Sequence, residues 1–172
     1  MSTADIARQF VIHLGVDDEL LAQFEDDARS RGMSVIGLDL TGLLDRPTLV
    51  DYLARTFMFP HEARGLDAAV DLISDLGWFG NASGYLVAAR GLAAPSAVSD
   101  SFVSILPNIV DRWRSQAVPF VVTIDGKGDQ LQSALLAANR ELERAEKLPW
   151  AEPGTGAVDV VIHGGEVASA GG

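Results

Sequence analysis

The chain has 172 residues, a length typical of one domain, with 48% of them apolar and 22% charged, which excludes a wholly disordered protein. The absence of cysteine excludes disulfide scaffolds, Cys-ligated zinc, iron–sulfur clusters and cysteine nucleophiles. Twenty-four Asp and Glu residues against thirteen Lys and Arg give a formal net charge of -11. So acidic a surface repels phosphate backbones, which disfavours direct binding to DNA or RNA and favours basic partners.

The chain shows no sign of a targeting segment or of membrane contact. Its first residues lack the charged stretch followed by an apolar stretch that marks a secretion signal. No apolar run approaches the ~18 residues of a membrane span. We therefore expect a cytoplasmic protein that does not bind membranes.

Hydrophobic periodicity predicts alternating strands and helices in the first half of the chain. The predicted strands are 10–14 and 35–40, and the predicted helices are 19–31, 46–59 and 66–76. Asp17, Asp18 and Asp45 stand where helix caps are expected, and Gly32 and Gly77 stand where helices end.

The same pattern continues in the second half. The predicted strands are 85–89, 120–124 and 158–163, and the predicted helices are 101–116 and 130–147. Pro107 is expected to kink or divide the first of these helices. Residues 149–157 are predicted to be a linker, and the Gly, Ala and Ser-rich end is predicted to be mobile.

Strands separated by helices predict an α/β fold with a mostly parallel sheet and right-handed crossovers. The strands at 35–40, 85–89 and 120–124 are expected to form the centre of the sheet. The two strands near the termini are expected to extend an edge. The pattern leaves the strand order open.

Three glycine-containing segments are partly similar to nucleotide-binding or hydrolase motifs, and none fits. Residues 37–42 have the glycine spacing of a Walker A loop, but Leu43 and Leu44 follow where Lys and Ser or Thr are needed. Residues 126–128 lack the third glycine of a dinucleotide loop, and Ser83 comes one place too late for a nucleophile elbow. We interpret all three segments as turns.

The three histidines, His13, His61 and His163, show no metal-ligand spacing. His13 and His163 lie in apolar, strand-like runs, so we expect them to be hydrogen-bonded structural residues. A Ser–His–Asp triad is assembled in space and needs no sequence motif, but no residue here points to one. We predict no catalytic residue, no metal site and no cofactor.

A row of acidic residues stands out on the helix predicted at 66–76. Asp67, Asp71 and Asp75 are spaced i, i+4, i+8, which places their carboxylates along one stripe of a helix, with apolar residues on the other side. Like charges at this spacing cost about 0.2–0.5 kcal/mol per pair, and Asp75 in the last turn would also oppose the helix dipole. Glu62, just upstream, adds a fourth negative charge. Local helix stability therefore does not explain the row.

Three interpretations of this acidic row compete. It could be a solvated face, a divalent-cation site, or an interaction face for cationic residues of a partner protein. Magnesium usually works with a bound phosphate substrate, and no phosphate loop is present. The pattern alone does not choose among the three.

Five short motifs follow one another between residues 33 and 126. They are Leu-Asp-Leu-Thr-Gly at 38–42, Arg-Pro-Thr-Leu at 46–49, Met-Phe-Pro at 58–60, Leu-Asp-Ala-Ala-Val-Asp-Leu at 66–72 and Ser-Asp-Leu-Gly-Trp at 74–78. In order and spacing this set resembles the barstar family, the intracellular inhibitors of barnase-type ribonucleases. The resemblance implies a small parallel three-stranded sheet packed by helices.

The resemblance also implies how such a chain would bind a partner, since the second helix of the family and the loop before it enter the nuclease active site. It assigns partner binding to nine residues: Asp67, Asp71, Asp75, Glu62, Val70, Ser74, Gly77, Trp78 and Asp111. Asp71 would be the principal phosphate mimic and Asp67 its companion. Val70 stands where the family often has an aromatic residue, and Asp111 is the nearest match to an acid on a later helix.

The chain departs from the family in its loop and at its ends. The loop at 61–65 is shorter and lacks an aromatic residue, and no counterpart exists for the extensions. We divide the chain into an N-terminal strand–helix extension at 1–32, a barstar-like domain at 33–126, and a C-terminal helix, linker, edge strand and tail at 127–172.

The sequence thus predicts a barstar-like protein that binds and blocks a basic ribonuclease or related toxin inside a bacterial cell, without turnover or cofactor. Two alternatives stay open. One is a barstar-like scaffold with an endogenous regulatory partner. The other is a magnesium-dependent hydrolase that uses the Asp cluster. The oligomeric state is not predicted.

Overall fold

One sheet of five parallel strands organises the molecule. The computed structural model describes residues 6, 8–80, 82–92, 96–146 and 157–164. The strands are β1 Phe10–Leu14, β2 Ser34–Asp39, β3 Tyr85–Arg90, β4 Phe120–Ile124 and β5 Asp159–Ile162. They lie in the order β2-β3-β4-β1-β5, and all four neighbouring pairs are parallel.

Helices cover both faces of this sheet unequally. They are α1 Asp18–Ser30, α2 Arg46–Thr56, α3 Leu66–Ile73, α4 Ala97–Ser115 and α5 Asp129–Glu146. Residues of α2, α3, α4 and α5 share one large core with the sheet, whereas α1 packs on a smaller second core. The predicted α/β class, a small parallel sheet packed by helices, is confirmed.

The three strands expected at the centre, β2, β3 and β4, are neighbours in the sheet, but β2 is an edge strand, so its expected central place is wrong. Its partly exposed residues fit an edge. The strands near the termini extend the sheet beyond β4, where β1 is an inner strand and β5 forms the other edge. Both β1 and β4 are almost wholly apolar and buried, with Ile12 paired to Val122 in register. A parallel strand buried on both faces needs this continuous apolar composition, which explains why the run at 120–124 could be identified from sequence.

Three helices differ from their predicted bounds by three residues or more. Helix α2 ends at Thr56, not at Phe59, and Met58 beyond it adopts a left-handed φ of 51°. Helix α3 ends at Ile73, not at Leu76, because Leu76 adopts a left-handed φ of 51° and turns its side chain into the core. Helix α4 begins at Ala97, ahead of the predicted start, because Ser96 caps it by accepting a hydrogen bond from the Ser99 N–H. Pro107 is buried within α4 and does not divide it.

The two histidines from strand-like runs meet at the side of the sheet where β5 pairs with β1. Nδ1 of His13 lies 2.9 Å from Nε2 of His163, and the fully buried His13 ring is 4.5 Å from that of Phe24. Their arrangement agrees with the structural role expected for both. Residues 149–156 of the predicted linker at 149–157, and the tail after Gly164, lie outside the described residues.

The start of α2 yields a prediction about acid stability. The Asp45 carboxylate caps this helix by accepting a hydrogen bond from the Thr48 N–H. The Thr48 hydroxyl in turn accepts a hydrogen bond from the Asp45 N–H, which completes a capping box. Hydrogen bonds from the Thr48 N–H and, to a smaller extent, from the Thr48 hydroxyl hold the pKa of Asp45 below its ordinary 3.8. A carboxyl with a lowered folded pKa contributes stability above its unfolded pKa, and that contribution is lost as the pH falls through the folded value.

Asp45→Asn keeps a capping oxygen but removes the titration. We therefore expect the wild type to be more stable than Asp45→Asn at about pH 6, with the difference shrinking at about pH 3. Urea unfolding of both proteins at the two pH values measures this. A difference that stays constant between them would contradict the assignment.

Candidate functional site

Helix α3 has one buried side and one acidic side. Ala69, Val70, Leu72 and Ile73 are buried, and the last of these packs in the large core. The carboxylates of Asp67 and Asp71 lie on the exposed side. An amphipathic helix buries its apolar stripe and leaves its polar stripe in water, so the local sequence explains both orientations.

Asp75 does not extend the helical stripe, because α3 ends at Ile73 before reaching it. The expected i, i+4, i+8 row is therefore wrong for its third member. Asp75 is nevertheless exposed, in the turn that follows the helix. Glu62 is also exposed, in the loop before α3, with its carboxylate 3.9 Å from Nε of Arg64.

Asp71 has a counter-ion within the chain. Its Oδ1 accepts a hydrogen bond of 2.6 Å from Nη1 of Arg112, which lies in the last turn of α4. Among the residues that the structure describes, neither Asp67 nor Asp75 forms an ion pair. The charge of Asp71 is thus partly compensated in the isolated protein.

The last turn of α4 also holds the carboxyl end of α3. Trp113 Nε1 donates a 3.0 Å hydrogen bond to the Ile73 carbonyl, and Gln116 Nε2 donates one of 3.1 Å to the Ser74 carbonyl. These carbonyls end a helix and have no partner within it. The side chains of Trp113, Gln116 and Arg112 therefore set the position of α3. No pattern in the sequence predicts these contacts, because the residues that they join are some forty positions apart in the chain.

Three further predicted binding residues, Ser74, Gly77 and Trp78, lie in the turn that follows α3. Trp78 is half-buried and donates a 3.0 Å hydrogen bond from Nε1 to the Phe57 carbonyl at the end of α2. Gly77 is exposed, whereas the Ser74 side chain is buried. The hydrogen bond of Trp78 therefore joins the turn after α3 to the end of α2.

Besides Ser74, two predicted binding residues lie inside the protein. Val70 is only 4% exposed, because it belongs to the inner stripe of α3. Asp111 is 5% exposed and pairs with Arg114 one turn later on α4. In the isolated chain neither side chain belongs to the exposed acidic surface.

Within the described ranges no three His, Asp or Glu side chains are grouped to hold a metal ion. No helix in those ranges is long and apolar enough to cross a membrane. The exposed charged side chains of α3 itself are the carboxylates of Asp67 and Asp71, and the loop before it also exposes Arg64. The carboxylates can accept hydrogen bonds and neutralise cations.

A family model described as Barstar (barnase inhibitor) matches residues 33–125, more than half of the chain. The chain belongs to the barstar family. The barstar match runs from just before β2 to the end of β4, and it includes α2, α3 and α4. The strands β1 and β5, with α1 and α5, lie outside the matched residues.

Other comparisons add little to the barstar assignment. No curated protein matches the chain. A structure of Drosophila ORC bound to DNA is 10% identical over 73% of this chain and 75% of that chain, with a TM-score of 0.43. Drosophila ORC bound to GC-rich DNA and Cdc6 is 11% identical over 74% of this chain and 46% of that chain, with a TM-score of 0.45. At scores below 0.5 these likenesses bear on neither fold nor function.

Proposed function

We propose that this barstar-family protein inhibits a ribonuclease by placing an acidic surface in the cationic active site of the enzyme. The acidic surface consists of Glu62, Asp67, Asp71 and Asp75. The observation that carries the proposal is that all four carboxylates are exposed within residues 62–75, while the apolar residues of the same segment are buried or, at Leu66 and Ala68, half-buried. The family description, a barnase inhibitor, supports the same function.

The electrostatics of the chain favour such a partner. A ribonuclease holds RNA phosphates with cationic side chains, and exposed carboxylates offer those side chains a substitute anion. The net charge of -11 would also attract a basic protein over distance and raise the rate of association. On this proposal the protein works in the bacterial cytoplasm by occlusion, turns over no substrate and needs no cofactor.

The turn after α3 would take part in the same contact. Gly77 is exposed and Trp78 half-buried beside Asp75, so a partner that reaches Asp75 would also meet this turn. The hydrogen bond from Trp78 to the Phe57 carbonyl limits the movement of this turn, which lowers the entropy lost on binding.

The test is a titration of barnase, and of basic ribonucleases encoded in the same genome, with the purified protein. We expect stoichiometric loss of ribonuclease activity against at least one of them. The affinity should weaken as salt rises from about 50 to about 500 mM, because screening reduces the attraction between the charged surfaces. Absence of inhibition across the whole set at low salt would overturn the proposal.

A further inference from the structure

A cavity lies on the side of the sheet that α1 covers, away from α3. Its volume is about 260 Å³, and it opens near the residues that precede β1, β3 and β4. Phe24 and Ala28 of α1 form one wall, and Leu86 of β3 and Val121 of β4 form the other. Among the described residues, α1 and Ile6 cover this face of the sheet beside the cavity.

The size and lining of the cavity limit what could occupy it. A purely apolar cavity of about 150 Å³ stays dry and binds benzene, so this larger space has room for a small organic molecule. Ligand sites typically combine apolar walls with a few polar groups that fix orientation. The apolar walls here would take a hydrocarbon or aromatic body.

Two basic side chains line the cavity, Arg8 and Arg31, and each has a carboxylate partner. Arg8 lies 3.8 Å from Asp159, which is not a lining residue, whereas the partner of Arg31 is Asp27, which also lines the cavity. Arg31 donates from Nε to Asp27, with an N–O distance of 3.1 Å. A guanidinium has five N–H donors, and this contact uses the one on Nε.

The backbone of Arg31 is held in place at the end of α1. Its N–H bonds to the carbonyls of Asp27 and Ala28, and its carbonyl accepts a 2.7 Å hydrogen bond from the Ser83 hydroxyl. The fixed main chain and the contact with Asp27 together hold the guanidinium beside the cavity. Such preorganisation reduces the entropy that a ligand must overcome.

We propose that this cavity binds a small anionic amphiphile, a carboxylate on an aliphatic or aromatic body. The body would lie between Phe24, Leu86 and Val121, and the carboxylate would pair with Arg31. This site is independent of the acidic surface, since α3 packs on the opposite face of the sheet.

Isothermal titration calorimetry with octanoate tests the proposal on the intact protein. We expect saturable binding of one molecule per chain and at least about tenfold weaker binding by Arg31→Gln, because a charge-assisted hydrogen bond is lost. Arg29→Gln is the matched control, since Arg29 lies on the same helix, pairs with Glu25 and does not line the cavity. Thermal unfolding shows that both variants remain folded.

Three results would overturn this assignment. They are the absence of saturable heat with octanoate, equal weakening by Arg29→Gln and Arg31→Gln, and binding of octan-1-ol as tight as that of octanoate. The first would remove the ligand site, and the other two would remove the role of Arg31 in recognising an anion.

Discussion

Replacing Asp67 and Asp71 together by Asn is expected to weaken binding to the target ribonuclease by at least about 100-fold. Both carboxylates are exposed, and removing them would leave cations of the enzyme without partners in the complex. Stability should change little, because among the described residues the ion pair lost is Asp71 to Arg112, which is exposed, and such pairs contribute about 0–1 kcal/mol. Inhibition assays and urea unfolding of the same preparations measure the two effects.

The control is a second double variant, Asp26→Asn with Asp51→Asn. These residues are exposed on α1 and α2, and their replacement changes the net charge by the same amount. If the control weakens inhibition equally, the effect comes from total charge and not from α3. If the Asp67 and Asp71 variant inhibits like the wild type, the acidic surface is not the binding surface.

Trp113→Ala is expected to lower the free energy of unfolding by about 3–5 kcal/mol. Trp113 is 4% exposed, and its ring is stacked on Phe120 at 5.8 Å and tilted against Tyr85 at 5.2 Å. The substitution would leave a cavity between α4 and the sheet, and it would remove the donor to the Ile73 carbonyl. Urea unfolding followed by circular dichroism measures the loss.

Trp113→Phe separates the two contributions. It keeps an aromatic ring in the core but leaves the Ile73 carbonyl without its donor. The expected loss in the free energy of unfolding is about 1–3 kcal/mol. The Ala variant should therefore be clearly the less stable of the two. Equal and small losses in both would show that Trp113 does not join α3 to the core.

The elements of the fold could be predicted from sequence because each carries a local signal. The apolar run at 120–124, the cap at Asp45 and the amphipathic pattern of α3 all act over a few residues. The position of β1 between β4 and β5 carries no such signal, because pairing with residues more than a hundred positions away depends on packing of the whole sheet. The end of α3 was misplaced because a left-handed residue was expected at glycine, whereas Leu76 takes that conformation.

In the candidate site, too, features with a local sequence signal could be predicted and long-range contacts could not. The exposure of Asp67 and Asp71 followed from helical periodicity alone. Transfer by family resemblance placed Val70 at the interface, although periodicity assigns it to the buried stripe. The contacts of Arg112 and Trp113 with α3 join helices far apart in sequence, and only the folded chain brings them together.

On the proposed function, the contact between Asp71 and Arg112 would make binding selective. An incoming cation competes for Asp71 with a guanidinium that already bonds to Oδ1, and a guanidinium that gives way then needs a new acceptor. Polyamines and loosely structured basic tails offer positive charge but no acceptor at a defined distance. A folded enzyme whose active site pairs a cation with a neighbouring carboxylate or carbonyl offers both, so this exchange of partners would reject generic polycations while admitting the intended target.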